Sequence, residues 1–181
     1  DYFDLPFTTV ATTPLASAAM PGADWFHGAT HNYAECLIAK LKTDAPPVLY
    51  KDEHSDLVTL SRDEITEQTR QLAAVLRGRG VQRGDRVVAY LPNIPEALIA
   101  LLAVSSIGAI WSSCAPDFGA KSVLDRFAQI EPKVLIAVDG YRYGGKDYPR
   151  TDVVAQLQAA LPTLEQTVLV SRLDADAATL T

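Results

Sequence analysis

Cysteine and positive charge are both scarce in this sequence. Only two cysteines, Cys36 and Cys114, occur in 181 residues, and neither belongs to a paired-cysteine motif. This argues against a disulfide scaffold and indicates two reduced thiols in a cytoplasmic protein. Acidic residues outnumber basic ones by 22 to 16, which gives a net charge of -6. That balance argues against general binding to nucleic acids or membrane surfaces, but it leaves room for a local basic site.

Targeting and membrane-spanning segments are also missing from the sequence. The first residues, DYFDLPF, are acidic and carry no basic n-region, so no signal peptide is recognisable. The most apolar run, Ala97–Val104, lies between Pro95 and Gly108 and is too short to span a bilayer, which favours a buried helix. Both ends of the chain are abrupt, and the last residues, SRLDADAATLT, contain no capping element. We therefore expect a fragment of a longer polypeptide, without a membrane span.

No complete catalytic or metal-binding motif occurs in the sequence. It has no Gly-x-x-x-x-Gly-Lys-Ser/Thr phosphate loop, no Gly-x-Ser-x-Gly turn, and no clustered His or Cys at metal-ligand spacing. The histidines His27, His31 and His54 lie beside a helix start or in a turn, where surface or structural roles are the simplest interpretation. The sequence therefore assigns no catalytic residue and no metal ligand.

What the sequence does contain is an alternation of short apolar runs with segments of helical length. The runs are Val87–Leu91, Ala109–Ser113 and Val134–Val138, and Gly, Pro, Asn or Asp stands at each junction. Such alternation predicts βαβ units and a parallel sheet, and near-continuous apolar strands indicate burial on both faces. The predicted fold class is α/β, with a largely parallel sheet flanked by helices.

The segments on either side complete the predicted domain organisation. Residues 1–31 lack clear periodicity and are interpreted as an irregular arm and entry segment. Residues 32–171 are assigned to the α/β subdomain, and residues 172–181 to a connection with the remainder of a longer protein.

Two capping boxes predict helix starts in this subdomain. Asn32 with Glu35, and Ser61 with Glu64, have the spacing in which a side chain and a backbone N–H cap each other. The other predicted elements are a hairpin of residues 48–51 and 57–60, helices at 96–107, 122–130 and 152–161, and a last strand at 168–170.

The segment Asp139–Arg150, DGYRYGGKDYPR, is the strongest candidate site and is expected to form a loop after the third strand. It combines cations that pair with phosphates, glycines that let a ligand approach the backbone, and tyrosines that stack on a base. These residues are Arg142, Lys146 and Arg150; Gly144 and Gly145; and Tyr141 and Tyr143. From spacing alone, a solvated glycine-rich loop is the simpler interpretation.

A second candidate is the loop Pro116–Gly119, which follows the second parallel strand. Open α/β sheets place ligands at the carboxyl ends of their strands, and this loop is expected there. A helix or turn cap is the simpler role for Asp117, because Asp caps such elements more often than it binds a ligand.

One long run of the sequence resembles the first α/β subdomain of adenylate-forming enzymes, the superfamily of acyl-CoA synthetases, luciferases and peptide-synthetase adenylation domains. That run is TLSRDEITEQTRQLAAVLRGRGVQRGDRVVAYLPNIPEALIALLAVSSIGAIW. The segment DWFHGATHNYAE is similar to the entry sequence of acetyl- and acetoacetyl-CoA synthetases. WSSCAPDFG, VLDRFAQIEPK and DGYRYGGK resemble the acetoacetyl-CoA synthetase branch in particular. Two residues depart from the pattern: His27 stands where Pro is expected, and His31 where an apolar residue is usual.

The resemblance implies an ATP-dependent acid–thiol ligase. Such enzymes activate a carboxylate with Mg-ATP to an acyl-adenylate, release diphosphate, and pass the acyl group to coenzyme A as AMP leaves. The implied substrates are acetoacetate, ATP with Mg²⁺, and coenzyme A, and the implied partner is the rest of the same polypeptide, with no nucleic acid. The Ser/Thr/Gly-rich phosphate loop, hinge and C-terminal lysine of the family do not occur in the 181 residues. We therefore expect the chain by itself to be inactive.

The resemblance also assigns a ligand to both candidate loops. In related acetyl-CoA synthetases, the segment that matches Asp139–Lys146 contacts the nucleotide end of coenzyme A, and a second segment lies near the same moiety. The implied coenzyme A-binding residues are Arg142, Tyr143, Gly144, Gly145, Pro116, Asp117 and Phe118. Two alternatives stay open: an acetyl- or propionyl-CoA synthetase, and a non-catalytic α/β module that binds a nucleotide.

Overall fold

The computed structural model describes residues 5–41, 44–53 and 55–174, and the chain divides into two compact units. The first unit ends at Leu41 and contains a short antiparallel pair, β1 (Leu15–Ser17) and β2 (Asp24–Trp25), followed by helix α1 (Tyr33–Lys40). The sequence did not predict these two strands because two or three residues are too few to show a periodicity.

Helix α1 begins at the predicted residue. The side-chain oxygen of Asn32 accepts a hydrogen bond from the backbone N–H of Glu35 at 3.1 Å. Its apolar stripe predicts a helix to about Lys42, which lies outside the described part of the chain, and the described helix ends at Lys40.

The second unit starts with a hairpin and a long helix. Strands β3 (Val48–Tyr50) and β4 (Val58–Leu60) are antiparallel, and helix α2 (Arg62–Gly78) follows them. The capping box of α2 is complete: Ser61 Oγ accepts from the Glu64 N–H at 3.2 Å, and the Ser61 N–H donates to Glu64 Oε2 at 2.8 Å. The predicted hairpin and the predicted helix start are both confirmed.

A parallel sheet forms the centre of the second unit. Its strands are β5 (Arg86–Tyr90), β6 (Ile110–Cys114), β7 (Val134–Val138) and β10 (Gln166–Val170), in the spatial order β10-β7-β5-β6. Every neighbouring pair is parallel, which confirms the predicted α/β class. The connecting helices are α3 (Pro95–Ser106), α4 (Ala120–Phe127, extended by a 3₁₀ turn to Ile130) and α5 (Thr151–Ala160).

The predicted burial of the strands on both faces of the sheet is confirmed for the two central strands only. All five residues of β7 are buried, as are Val87 to Tyr90 of β5. The expectation is wrong for β6, whose Ile110 is 51% exposed, because β6 forms one edge of the four-stranded sheet.

Two apolar cores lie on opposite faces of the sheet. Along β5, Val87 and Ala89 belong to one core, and Val88 and Tyr90 to the other, as the alternation of a strand requires. Helices α2 and α3 supply residues to the first core, and α4 and α5 to the second. The second unit is therefore a helix–sheet–helix sandwich.

The segment after β7 is a hairpin, and the predicted loop at Asp139–Arg150 is corrected accordingly. Strands β8 (Gly140–Tyr143) and β9 (Lys146–Pro149) pair antiparallel around the two-residue turn Gly144–Gly145. Both glycines have positive φ, 59° and 70°, as tight hairpin turns with the right twist require. The prediction missed the strands because they are short, polar and largely exposed, so no apolar alternation marks them.

Candidate functional site

A cleft of about 290 Å³ lies where three parallel strands end. Strands β5, β7 and β10 run in the same direction, so the segments that follow them meet at one edge of the sheet, the usual ligand edge of open α/β folds. The turn after β3 closes another side of the cleft. The lining residues are Tyr50, Lys51, Asp52, Glu53, Pro92, Asn93, Ile94, Tyr141, Arg142, Tyr143, Arg172 and Leu173.

One wall of the cleft is held by Arg172. Its Nη2 donates to the Tyr50 hydroxyl at 2.8 Å and to Asp52 Oδ2 at 2.9 Å, and its guanidinium lies 5.7 Å from the centre of the Tyr50 ring. Burial of the phenol is the main cause that raises the pKa of Tyr50, and the hydrogen bond to Asp52 is the second. This phenol therefore stays protonated. No local pattern in the sequence reveals this cluster, because 120 residues separate Asp52 from Arg172.

The backbone at Arg172 is fixed by a buried acid, Asp139. This residue is 3% exposed, and its carboxylate accepts from the backbone N–H groups of Arg172 at 2.7 Å, Leu173 at 3.0 Å and Asp174 at 2.8 Å. Hydrogen bonds from several backbone N–H groups to one carboxylate are strong and directional, so Asp139 fixes the backbone from Arg172 to Asp174. The sequence signal that could have revealed it is an Asp directly after a fully apolar strand.

Two of the predicted site residues, Arg142 and Tyr143, line the cleft. Arg142 Nε donates to Asp147 Oδ1 at 2.6 Å across the hairpin, and this pairing raises the pKa of Arg142 above its usual range. Tyr143 is 70% exposed and has a face available for stacking. Arg142 is therefore a permanent cation, presented in a defined direction by its partner.

The predicted glycines lie at the tip of the same hairpin, where they bind a carboxylate. The backbone N–H of Gly144 donates to Glu53 Oε1 at 2.8 Å, and that of Gly145 donates to Glu53 Oε2 at 2.9 Å. Successive N–H groups that converge in this way form an anion-binding concavity. In this structure Glu53 fills that concavity.

The second candidate loop contributes none of the described residues that line the cleft. The carbonyl oxygen of Pro116 accepts from the buried Tyr90 hydroxyl at 2.8 Å and from Arg150 Nε at 2.6 Å. Phe118 is 42% exposed, and the guanidinium of Arg126 lies 5.2 Å from its ring centre. This loop is therefore joined to the hairpin through Arg150 but lies outside the cleft.

The three predicted cations of the hairpin separate into different roles. Arg142 lines the cleft, and Lys146 is exposed beside the turn, paired in register with Tyr143. Arg150 Nη2 donates to the Tyr141 hydroxyl at 3.1 Å, and its guanidinium stacks 5.0 Å from the Tyr141 ring centre. Because Arg150 is engaged by protein groups, the structure favours a scaffold role for it over a phosphate contact.

Asp117 does not cap the helix that follows it. The residue before α4 is Gly119, which makes no side-chain capping bond, and the carboxylate of Asp117 is exposed. The turn itself is closed by a backbone hydrogen bond from Phe118 to Ala115 at 3.2 Å. The capping role suggested for Asp117 is therefore wrong for α4.

The described residues hold no group of three or more His, Cys, Asp and Glu side chains that could bind a metal ion. His27 lies 2.8 Å from Asp24, and His31 packs edge-on against Phe7 at 5.7 Å, both within the first unit; His54 lies outside the described residues. In the same described part of the chain, no helix is long and apolar enough to cross a membrane.

Comparisons with known proteins agree on one group of enzymes. The family model described as "AMP-binding enzyme" matches residues 39–181. Acetoacetyl-CoA synthetase of Mus musculus is 39% identical over 165 residues, 91% of this chain and 24% of the relative. Acetoacetyl-coenzyme A synthetase of Rhizobium meliloti is 40% identical over 161 residues, 89% of this chain and 24% of the relative.

A solved structure gives the same result. Acetoacetyl-CoA synthetase from Streptomyces lividans superposes with a TM-score of 0.92 at 50% identity, and the match covers 97% of this chain and 28% of that one. The chain spans about a quarter of the length of the curated relatives that it matches.

Proposed function

The chain belongs to the AMP-binding enzyme family, and from that premise we propose that the polypeptide carrying it is an ATP-dependent acetoacetate–CoA ligase. The observation that supports this most strongly is the 50% identity, over 97% of the chain, to the acetoacetyl-CoA synthetase from Streptomyces lividans. Both cysteines are free thiols, which suits the cytoplasmic location that we propose with it.

The proposed reaction has two steps. An acetoacetate carboxylate oxygen attacks the α-phosphorus of ATP, and diphosphate leaves with the electron pair of the broken P–O bond. The thiolate of coenzyme A then attacks the carbonyl carbon of the acyl-adenylate, and AMP leaves. Mg²⁺ enters with ATP as part of the substrate, and the described residues offer no cluster for it, so we assign no magnesium ligand to this chain.

Within this reaction, we assign the cleft to the nucleotide end of coenzyme A. Its chemistry suits a phosphorylated purine, because Arg142 supplies a fixed positive charge and Tyr143 an exposed ring. Beside the cleft, the turn Gly144–Gly145 adds two N–H donors, which Glu53 occupies in this structure. Charge-assisted bonds from Arg and from backbone N–H are the contacts that phosphates prefer. Binding here orients coenzyme A without taking part in bond making.

Pro116, Asp117 and Phe118 are proposed as a second contact with coenzyme A, outside the cleft. The exposed Phe118 ring is the group in this loop best suited to it, because it offers apolar surface to the uncharged part of the molecule. The position of the loop relative to the hairpin is fixed by Arg150.

The test of the coenzyme A assignment is Arg142→Ala in the full-length polypeptide. We expect the KM for coenzyme A to rise about tenfold or more, since a charge-assisted hydrogen bond is lost. Acetoacetate-dependent exchange of diphosphate into ATP reports adenylation alone and should not change. Arg77→Ala, at the exposed end of α2, removes the same side chain away from the cleft and is the matched control. An unchanged KM for coenzyme A would overturn the assignment.

Diphosphate release by the full-length polypeptide tests the acyl substrate. Acetoacetate should be preferred to acetate and propionate. A preference for acetate or propionate would instead identify an acetyl- or propionyl-CoA synthetase.

We also propose that the 181-residue chain does not form thioester by itself. ATP-dependent turnover by the purified chain would contradict this. Nucleotide binding without activity in the full-length polypeptide would identify a binding module.

A further inference from the structure

The hairpin tip that we assign to a ligand phosphate is occupied by a side chain of the protein itself. Both oxygens of the Glu53 carboxylate accept backbone N–H bonds there, one from Gly144 at 2.8 Å and one from Gly145 at 2.9 Å. A carboxylate that takes both donors occupies the position in which a phosphate would bind. We propose that Glu53 is a built-in competitor, which an incoming phosphate of the ligand must displace from the turn. This inference rests on the proposed coenzyme A site.

The donors at the turn cannot serve both anions at once. Each backbone N–H carries a single hydrogen, and the N–H groups of Gly144 and Gly145 both point at the one carboxylate of Glu53. A phosphate that approached with Glu53 in place would also meet a like charge at close range. Binding to the turn therefore requires that Glu53 move out.

The residue before Glu53 is held by contacts of its own. The preceding residue, Asp52, is anchored by the 2.9 Å ion pair with Arg172 and accepts from the Ser55 N–H at 2.6 Å. Neither bond involves the Glu53 side chain, which is exposed. A rotation of the Glu53 side chain away from the turn breaks the bonds to Gly144 and Gly145 but leaves both of these Asp52 contacts in place.

The consequence is a lowered affinity in the wild-type protein. When only part of the population has the turn open, the apparent dissociation constant exceeds the intrinsic one by the inverse of that fraction. Exposed charge-assisted bonds of this kind shift such an equilibrium by roughly three- to tenfold. Removing the Glu53 carboxylate should therefore tighten binding by the same factor.

The experiment is calorimetric titration of the full-length polypeptide with adenosine 3′,5′-bisphosphate, which carries the nucleotide end of coenzyme A without its thiol arm. Glu53→Gln should bind it roughly three- to tenfold more tightly than wild type. Glu165→Gln removes the same charge at the opposite, amino-terminal edge of the sheet, where Glu165 lies 3.8 Å from Lys133, and should leave the affinity unchanged.

A second variant distinguishes a Glu53 side chain that blocks the turn from one that only repels the phosphate by its negative charge. Glu53→Asp keeps the charge but is one methylene shorter, so its carboxylate cannot reach both N–H groups in the same pose. Occupancy predicts that Glu53→Asp also binds the bisphosphate more tightly than wild type. If Glu53→Asp bound the bisphosphate as wild type does and only Glu53→Gln bound it more tightly, the effect would come from charge alone. The proposal that Glu53 competes for the turn would then be wrong.

The remaining outcomes are also decisive. Weaker or unchanged binding by Glu53→Gln, together with a loss in Arg142→Ala, would show that Glu53 merely braces the hairpin while the proposed nucleotide site stands. Absence of binding in every variant would overturn the nucleotide site, and the competition with it.

Discussion

Arg150 donates its Nε–H to the carbonyl oxygen of Pro116 at 2.6 Å and so joins the two segments that the sequence had marked as separate candidate sites. The same guanidinium stacks on Tyr141, 5.0 Å from the ring centre, and Tyr141 stacks in turn on Tyr148 at 5.2 Å. A planar cation with fixed donors suits this role because it can stack and donate at once.

The first prediction concerns this junction. Arg150→Lys keeps the charge but loses the Nε donor and the planar stack, so we expect the free energy of unfolding to fall by about 1–3 kcal/mol. Chemical denaturation followed by the fluorescence of Trp111, which lies in β6, measures it. Arg77→Lys, at the exposed end of α2, is the control, and an equal loss there would refute a special role for Arg150.

Tyr90→Phe removes the other donor to Pro116. Tyr90 is 0% exposed, and its single O–H is shared between the carbonyl oxygens of Pro116 at 2.8 Å and Phe118 at 3.0 Å. We expect a loss of about 1–2 kcal/mol, because the Phe118 carbonyl loses this bond while Pro116 retains Arg150. Since both side chains share one acceptor, the double variant with Arg150→Lys should deviate from additivity by at least about 0.5 kcal/mol. Strict additivity would contradict the shared acceptor.

Replacing a glycine by alanine should destabilise the protein at the hairpin tip but not at the end of helix α2. Gly145 has a φ of 70°, a conformation that costs a non-glycine residue about 1–2 kcal/mol, so Gly145→Ala should lower the free energy of unfolding by that amount. Gly78→Ala, at the end of α2 with nothing within 4 Å of the added Cβ, should instead raise it by about 0.5–1 kcal/mol. Denaturation of the two variants side by side measures the difference. Effects of the same sign would contradict the turn geometry.

The stability of the second unit should depend on pH through Asp85. The backbone N–H of Gln82 at 2.8 Å, and then Lys133 Nζ at 3.2 Å, hold the pKa of Asp85 below its ordinary value of 3.8. Because the folded-state pKa is depressed, this contribution is present above the unfolded-state pKa and is lost as the pH falls from about 5 to about 2.

Asp85→Asn tests the origin of that pH dependence. At pH 7 the variant should be about 0.5–1 kcal/mol less stable than wild type, and the gap should close in acid, where the wild-type carboxylate is protonated. Denaturation midpoints between pH 3 and pH 7 follow the gap. A gap that stays constant across this range would show that Asp85 acts through packing rather than charge.

The sequence predicted those parts of the fold that depend on neighbouring residues. The apolar runs of β5 and β7 and the capping box of Ser61 and Glu64 are local patterns, and each formed where it was expected. The hairpin at Gly140–Pro149 was missed because its strands are exposed, so no buried face imposes an apolar alternation on them.

The residues that we propose as ligand contacts could be chosen from the sequence, whereas the residues that hold them in place could not. Arg142 and the glycine turn could be selected because cations and glycines have recognisable chemistry in any context. Asp139 and Arg172 could not be selected as partners, since the hydrogen bonds between them connect residues 33 positions apart.

The sequence by itself determined the α/β class and the positions of the helices and central strands, because hydrophobic periodicity and capping act within a few residues. Only the tertiary structure decided which strand lies at an edge, which cation faces the cleft, and which anion fills the turn at Gly144. Glu53 and Gly144 are 91 residues apart, and they meet because the segments after β3 and β7 are brought to the same cleft. The spatial order of elements is a property of the packed chain, and no local pattern encodes it.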